Sequence, residues 1–192
     1  QASELIKVCK RAPYGKNEQT LIDPYVRDSY QLDPSDVSIT HVDWDSKLQQ
    51  LVNRVGKSLG CKGKIEVRRT QKSKNEQYSN FEFQAKLYKV LVYEKGGHFL
   101  KHRDTEKDQK MFGTLVIQPP SSHTGGELVI YENDGISHRI CDFGQIAKKN
   151  ASTFQFAAHY ADLEHELRDI QSGYRLALVY SLCWINGIFL RI

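Results

Sequence analysis

The sequence predicts a mainly β protein, an antiparallel barrel or sandwich with flanking helices. From Phe81 onward, about seven short runs of β-branched and aromatic residues follow one another, and several alternate apolar with polar positions. Clusters of Gly, Pro, Ser or Asn separate most of these runs, and no helical pattern lies between them. Strands at such short intervals are typical of antiparallel sheets, whereas a βαβ fold would alternate its strands with helices.

The predicted strands, in chain order, are FEFQAKLYKVLVYE, MFGTLVIQP, GELVIYE, HRICDF, STFQFAA, LEHELRDI and YRLALVYSLCW. A further strand is predicted over Val26–Leu32, and a polar loop containing Pro34 follows it. One amphipathic helix is predicted between this loop and the β-rich part, because apolar residues recur there at spacings of three and four. These residues are Trp44, Leu48, Leu51, Val52, Val55 and Leu59. Asp43 or Asp45 is a suitable N-cap, and Gly60 follows the helix.

The length of 192 residues matches the ~100–200 residues of one domain. We expect a single domain over 1–192, with a helical, lid-forming part over about 1–80 and a β core over about 81–185. No apolar run approaches the roughly 18–20 residues of a membrane span. The first residues lack the apolar stretch of a signal peptide, and the four cysteines are widely spaced. We therefore expect a cytoplasmic or nuclear protein without a membrane segment.

The formal net charge of +4 is mild, and the basic residues concentrate between Cys61 and Asn75. Nucleic acid or an acidic peptide could bind such a segment. A solvated, charged loop is the more ordinary interpretation.

The triplets His102-Arg103-Asp104 and Asp142-Phe143-Gly144 resemble two protein-kinase motifs. A kinase also needs a Gly-rich loop and an Asn five residues after the Asp of the first triplet. The chain contains no G-x-G-x-x-G, and Gln109 occupies the Asn position. The sequence therefore excludes a kinase, and the second triplet is predicted to be a strand end followed by a turn.

A metal site is the better interpretation of the first triplet. Alternate residues of a strand face the same side, so His102 and Asp104 can present an imidazole and a carboxylate together while Arg103 points away. A second H-x-D, His41-Val42-Asp43, reads as a loop and a helix cap. A facial triad needs one more histidine from a distant strand.

The downstream candidates for the third ligand are His123, His138, His159 and His165. If Ile170–Gly173 form a hairpin turn, His165 lies opposite Leu178, about 10 Å from Arg175 at roughly 3.3 Å per residue. By the same calculation, His159 would lie roughly nine residues along the strand from Arg175, a distance near 30 Å. This geometry favours His165 as the third ligand. Arg175 would then bind an anion, because a guanidinium can hold a carboxylate in a bidentate fork.

From about Lys86 to Trp184, the chain resembles the iron(II)/2-oxoglutarate dioxygenases, specifically those similar to the prolyl 4-hydroxylase catalytic domain. The resemblance rests on an H-x-D, a distal histidine about sixty residues later and a basic residue ten further on in HELRDIQSGYR. The segments VYEKGGHFLKHRD and GGEL also fit that family. The fold that the resemblance implies is a double-stranded β-helix of the jelly-roll or cupin-like class.

The resemblance also implies roles for individual residues. Iron(II) would bind three side chains: His102, Asp104 and His165. Arg175 would bind the C5 carboxylate of 2-oxoglutarate, Tyr93 would reach this cosubstrate, and Leu128 would form a wall of its pocket. The remaining cosubstrate is O2, with ascorbate as a candidate accessory reductant.

The activity that the resemblance implies is hydroxylation of a C–H bond, coupled to oxidative decarboxylation of 2-oxoglutarate. A protein or peptide substrate is expected, with proline as one candidate target, and the loop Asp33–Asp43 or the segment Lys62–Asn80 could close over it. The alternatives are a hydroxylase of a small molecule or free amino acid, and a non-catalytic binding module that keeps the fold. A nucleic-acid substrate is disfavoured, because related demethylases carry an Arg where this chain has Ser181.

Overall fold

The architecture is a double-stranded β-helix built from antiparallel sheets, as the sequence and the resemblance predicted. The computed structural model describes residues 2–16, 19–61, 83–105, 110–145 and 152–185. The predicted basic segment after Cys61 and the segment Lys62–Asn80 lie outside these ranges.

Helix α1 covers Ala2–Ile6, helix α2 covers Trp44–Ser58, and a 3-10 turn covers Pro34–Asp36. The strands are β1 (Lys10–Arg11), β2 (Tyr14–Lys16), β3 (Gln19–Leu21), β4 (Arg27–Asp28), β5 (Tyr30–Leu32), β6 (Phe83–Tyr93), β7 (His98–His102), β8 (Met111–Gln118), β9 (His123–Gly125), β10 (Leu128–Tyr131), β11 (His138–Cys141), β12 (Gln155–Tyr160), β13 (His165–Leu167), β14 (Ile170–Gly173) and β15 (Arg175–Trp184).

The strands form two main sheets. The larger has the order β1-β5-β6-β15-β8-β12, and the smaller has the order β11-β10-β13-β7-β4. Two short ribbons, β14-β9 and β2-β3, complete the β structure of the described residues. Each of the pairings is antiparallel, which agrees with the short connections between strands.

The larger sheet is buried on both faces, and alternation along its strands assigns the side chains to two cores. On the central strand β15, Ala177 and Val179 pack towards the smaller sheet, whereas Leu178 and Leu182 pack on the opposite face. There the amphipathic helix α2 covers the sheet with Val52, Val55 and its flanking apolar residues. Since residues i and i+2 share a face, Arg175 lies on the same face of β15 as Ala177, the face that borders the space between the sheets.

The helix predicted over Trp44–Leu59 is present as α2, and it begins directly after Asp43. The single strand predicted over Val26–Leu32 is wrong, because the chain changes sheet at Ser29. Residues before Ser29 form β4, which pairs with β7, and residues after it form β5, which pairs with β6. Ser29 itself is buried, and its carbonyl accepts a hydrogen bond from the Ala12 amide.

The predicted hairpin turn over Ile170–Gly173 is also wrong. These residues form β14, which pairs with β9, and the Ile170 side chain is buried in the core between the sheets. The chain therefore crosses from the smaller sheet to the larger one here instead of reversing within one sheet. Leu178 is consequently paired with Val90 and Ile117 and does not lie opposite His165.

Truncation of the outer core should weaken the fold. We expect Leu182→Ala to lower the free energy of unfolding by about 2–5 kcal/mol, because this fully buried side chain would leave a cavity under α2. Urea denaturation followed by circular dichroism measures the change. The matched control is Leu100→Ala on β7, where the leucine is half exposed and the loss should stay below about 0.5 kcal/mol. Equal losses in the two variants would contradict this description of the core.

Candidate active site

Three predicted ligand side chains meet between the sheets. One potential ligand atom from each of His102, Asp104 and His165 lies within 4.8 Å of the others. The antiparallel pairing of β7 with β13 brings the histidines together, since His102 is the register partner of His165. Asp104 lies two residues beyond the end of β7, in the loop that follows it. The prediction that it would share the strand with His102 is therefore wrong, although its carboxylate still reaches the histidines.

Both imidazole rings are oriented by their own backbone. His102 Nδ1 lies 2.7 Å from the Leu100 carbonyl oxygen, and His165 Nδ1 lies 3.1 Å from that of Leu163. A carbonyl oxygen only accepts, so in each ring Nδ1 must carry the proton and Nε2 keeps its lone pair. A backbone acceptor of this kind is the usual outer partner of a metal-bound histidine. The donor set therefore fits a divalent transition metal.

Asp104 is held as a carboxylate. Thr114 Oγ1 on β8 donates a hydrogen bond to Asp104 Oδ2, and Asp104 Oδ1 lies 3.8 Å from His165 Nε2. Burial alone would raise the pKa of Asp104, but its electrostatic interactions with His165 and His159 and the Thr114 hydrogen bond outweigh this effect. The pKa of Asp104 therefore lies below its ordinary value. The side chain is ionised at neutral pH, as a metal ligand must be.

His102 is held in its neutral form. Burial and the neighbouring His165 lower the pKa of His102 to about 3. Its ring stacks on Phe99, with centroids 3.4 Å apart, and lies 4.2 Å from the ring of His165. No proton has to leave His102 at neutral pH before its Nε2 can coordinate.

Arg175 is a buried cation without a counter-ion among the described residues. Its side chain is 2 % exposed, its Nε has no hydrogen-bond partner in that part of the chain, and no carboxylate there lies within ion-pairing distance. The guanidinium carbon lies 5.5 Å from the ring of Tyr93 and 5.8 Å from that of Phe143. Burial lowers the pKa of Arg175 from its ordinary value. An unpaired buried charge is costly, so this position is suited to an anionic ligand.

The metal-binding group and Arg175 line one cavity of about 170 Å³. Drug-sized ligands occupy ~300–1,000 Å³, so this space fits a smaller molecule. Tyr93 and Leu128 also line the cavity, and both are buried. Tyr93 is the register partner of Arg175 across β6 and β15. The structure therefore brings all the residues predicted for metal and cosubstrate into one space.

The group of close ligand atoms contains His165 and not His159, as predicted, but the expected large distance of His159 from the site is wrong. The ring centroid of His159 lies 4.3 Å from that of His165, and it lines the same cavity as Arg175. The predicted separation near 30 Å assumed one hairpin, whereas β12 pairs with β8 and sets His159 opposite Thr114. The His159 Nδ1 lies 2.9 Å from the Tyr160 carbonyl oxygen, and its buried Nε2 has no partner among the described residues.

A second buried arginine of the cavity, Arg27, was not predicted at all. It lies on β4 and is 7 % exposed. The sequence carries no motif around it, and its place in the cavity follows from the pairing of β4 with β7. Arg103, which was predicted to point away from the site, is exposed and contributes to the lining of the cavity.

Solved structures that share this fold include the following three. A prolyl-4-hydroxylase from Pseudomonas putida is 14% identical, covers 94% of this chain and 80% of its own, and superposes with a TM-score of 0.54. An oxidoreductase of the 2OG-Fe(II) oxygenase family from Burkholderia pseudomallei is 16% identical, with 96% and 78% covered and a TM-score of 0.52. A prolyl hydroxylase from Trichoplax adhaerens, in complex with a hypoxia inducible factor oxygen degradation domain peptide fragment, is 13% identical, with 95% and 74% covered and a TM-score of 0.54.

At these identities, the similarity shows that the chain has a prolyl 4-hydroxylase-like 2-oxoglutarate oxygenase fold. No protein-family model matches the sequence, and no curated protein matches it. No helix in the described ranges has both the length and the apolar character to cross a lipid bilayer.

The buried histidines should make the metal-free protein sensitive to mild acid. Burial and the neighbouring His165 lower the pKa of His159 from 6.5 to about 4. In the unfolded chain, His159 takes up its proton near its ordinary value, so below about pH 6.5 the unfolded state binds more protons than the folded one. Stability therefore falls with pH from about 6.5 to 4, by up to ~1.4 kcal/mol per pH unit for each such histidine.

Urea denaturation in EDTA at pH 7, 6 and 5 measures this slope. We expect His159→Gln to remove part of the loss between pH 7 and 5, since His102 and His123, whose pKa values are also lowered, retain their own contributions. The exposed His138 provides the control, and His138→Gln should leave the slope unchanged. A wild-type stability that is constant over this range would contradict the prediction.

Proposed function

We propose that the protein is an iron(II)- and 2-oxoglutarate-dependent dioxygenase that hydroxylates a C–H bond. The observation that carries the proposal is a buried arginine, without a counter-ion among the described residues, in the same cavity as a His-Asp-His group. The donor set fits the two-histidine, one-carboxylate triad of non-haem iron(II) oxygenases. The arginine fits the far carboxylate of a dicarboxylic cosubstrate.

Four residues of the chain would bind the metal and the cosubstrate. His102, Asp104 and His165 would hold iron(II), which supplies the oxidising chemistry together with 2-oxoglutarate and O2 when it is bound. Arg175 would bind the C5 carboxylate of 2-oxoglutarate in a bidentate fork. Because Arg175 is shielded from water, its attraction for this carboxylate is stronger than at a surface.

The surrounding side chains would fix the cosubstrate. The rings of Tyr93 and Phe143 lie against the guanidinium and restrict its position. Tyr93 would reach the bound 2-oxoglutarate, and Leu128 would form an apolar wall of its pocket. Asp104 favours hydroxylation over halogenation, because halogenating members of the family lack this carboxylate. O2 is the second cosubstrate, and ascorbate is the candidate reductant that would keep the iron in its ferrous state.

The substrate that we favour is a protein or peptide, with proline as one candidate target residue. The support is the shared fold of two prolyl hydroxylases, one of them solved with a peptide fragment. A free amino acid or other small molecule is the second candidate, and the small cavity favours it. We further propose a single domain over residues 1–192 and a cytoplasmic or nuclear location. All four cysteines are free in the structure, which suits a reducing compartment.

Removal of a ligand should abolish metal binding and turnover together. We expect His165→Ala to weaken Mn²⁺ binding by at least about 10-fold, because the metal loses one of its three protein ligands. Calorimetric titration with Mn²⁺ under nitrogen measures binding, and succinate release with iron(II) and 2-oxoglutarate measures turnover. His138→Ala on β11 removes an exposed histidine outside the cavity and should change neither. Equal Mn²⁺ affinities for wild type and His165→Ala would sink the proposed metal site.

Replacement of Arg175 should weaken the binding of 2-oxoglutarate without lowering the stability of the ligand-free protein. We expect Arg175→Met to raise the KM for 2-oxoglutarate by about 10–100-fold, because hydrogen bonds to a charged group are worth ~1.5–3 kcal/mol. The ligand-free variant should unfold at an equal or higher urea concentration, since it no longer buries an unpaired charge. The control Arg139→Met removes an exposed arginine of β11. An unchanged KM in Arg175→Met would show that the anion site is elsewhere.

A further inference from the structure

Arg27 gives the cavity a second buried guanidinium, which neither the metal nor 2-oxoglutarate requires. It lies on β4, at the edge of the smaller sheet, and only 7 % of its surface is exposed. Its side chain lines the same cavity as the His-Asp-His group. In the proposed function, Arg175 would bind the C5 carboxylate of 2-oxoglutarate, and the other end of this cosubstrate would bind the metal. Arg27 is therefore left for a different molecule.

The position of Arg27 is fixed from three directions. Its Nε donates to Ser29 Oγ at 3.0 Å, and its Nη1 donates to the Pro13 carbonyl oxygen at 2.8 Å. Its guanidinium carbon lies 4.5 Å from the ring of Phe99, which stacks on His102. Nη2 has no protein partner among the described residues, so it can donate to a ligand, as can the second N–H of Nη1. The side chain is thus pre-organised for a bidentate contact.

The charge on Arg27 lacks an acidic partner in the described part of the chain. Its neighbour Asp28 faces the other way along β4 and pairs with Arg11. The described side chains of the cavity lining that carry a charge, histidines aside, are four cations and one carboxylate: Arg27, Lys89, Arg103, Arg175 and Asp104. Asp104 is already part of the His-Asp-His group, so it is not available to neutralise Arg27. A neutral carbonyl would satisfy a hydrogen bond of Arg27 but would not offset its charge, whereas a carboxylate does both.

We propose that Arg27 binds a carboxylate of the substrate that is hydroxylated. This inference rests on the proposed function and deepens it by assigning a substrate class. The guanidinium carbon lies within about 8 Å of the centre of the His102 ring, because the rings of Phe99 and His102 connect the two. A carboxylate held there lies close to the metal site, so the oxidised carbon is a few bonds from the carboxylate carbon. An amino acid, a peptide C-terminus and an acidic side chain beside the target residue share this chemistry.

Matched substrates test the proposal on the wild-type protein. A proline-containing peptide library is made with a free carboxylate terminus, with an amide terminus, and with an amide terminus plus one glutamate beside the proline. N-acetylproline and N-acetylprolinamide form the small-molecule pair. Mass spectrometry after incubation with iron(II), 2-oxoglutarate and O2 detects a gain of one oxygen. We expect at least a 10-fold higher kcat/KM for the carboxylate forms, and the arm that shows the preference identifies the source of the carboxylate.

The substitution Arg27→Gln should abolish this preference. We expect carboxylate and amide forms to react equally with the variant, so that the ratio of their kcat/KM values falls to about one. The conservative Arg27→Lys should keep part of the preference, and Arg139→Gln, which removes an exposed arginine outside the cavity, should keep all of it. A readout without turnover is binding of N-acetylproline, against its amide, to protein loaded with Mn²⁺ and 2-oxoglutarate under nitrogen.

The outcomes separate this inference from the function on which it rests. If wild-type protein binds Mn²⁺ and releases succinate but treats carboxylate and amide forms alike in both assays, the role of Arg27 is overturned and the proposed function stands. If wild-type protein neither binds Mn²⁺ nor releases succinate, the proposed function is overturned and this inference with it. If Arg27→Gln does not fold, the wild-type comparison of the matched pairs still decides the question.

Discussion

The register between β7 and β13 is the constraint on which the site depends. It sets His102 opposite His165, and a slip by one residue would turn the side chains of the slipped strand to the other face of the sheet. The backbone carbonyls of Leu100 and Leu163 then leave both Nε2 atoms free for a metal. The third ligand ties this pair to the opposite sheet, because Thr114 of β8 holds the Asp104 carboxylate. Correct docking of the two sheets is therefore a condition for the proposed metal site.

The same space between the sheets serves as core and as cavity, and the two demands conflict. Apolar residues such as Ala177, Leu128 and Leu167 bury this region, yet Arg27 and Arg175 place two buried charges in it. Each charge costs stability without a partner, and the outer core under α2 contains no such penalty in its apolar cluster. The protein thus separates its functions by face. One side of the larger sheet packs against α2, and the other side borders the cavity that we propose binds ligands.

Local sequence patterns correctly predicted the elements that depend on periodicity. The predictions were wrong where the chain passes from one sheet to another. The apolar stripe of α2 and the alternation of the strands are local signals, and the H-x-D with its distal histidine and basic residue belongs to a motif with a known order. The crossing at Ser29, the strand Ile170–Gly173 and the approach of His159 to His165 depend on which strands pair over long distances. Spacing along the chain carries no record of that pairing. For the same reason, Arg27 could be recognised only from the structure.

The two arginines differ in how firmly the fold holds them, and this difference bears on specificity. Arg175 begins β15, a strand that lies between β6 and β8 in the sheet. Its register partner is Tyr93 of β6, and the pairing of β15 with β8 begins at Leu178. Arg27 lies on the edge strand β4, which pairs with β7 alone among the described strands. A change at a central strand disturbs both neighbours, whereas a change at an edge strand disturbs one. If the proposed function holds, such a fold can keep the metal and cosubstrate contacts proposed for it while the edge strand supplies a different contact to the substrate.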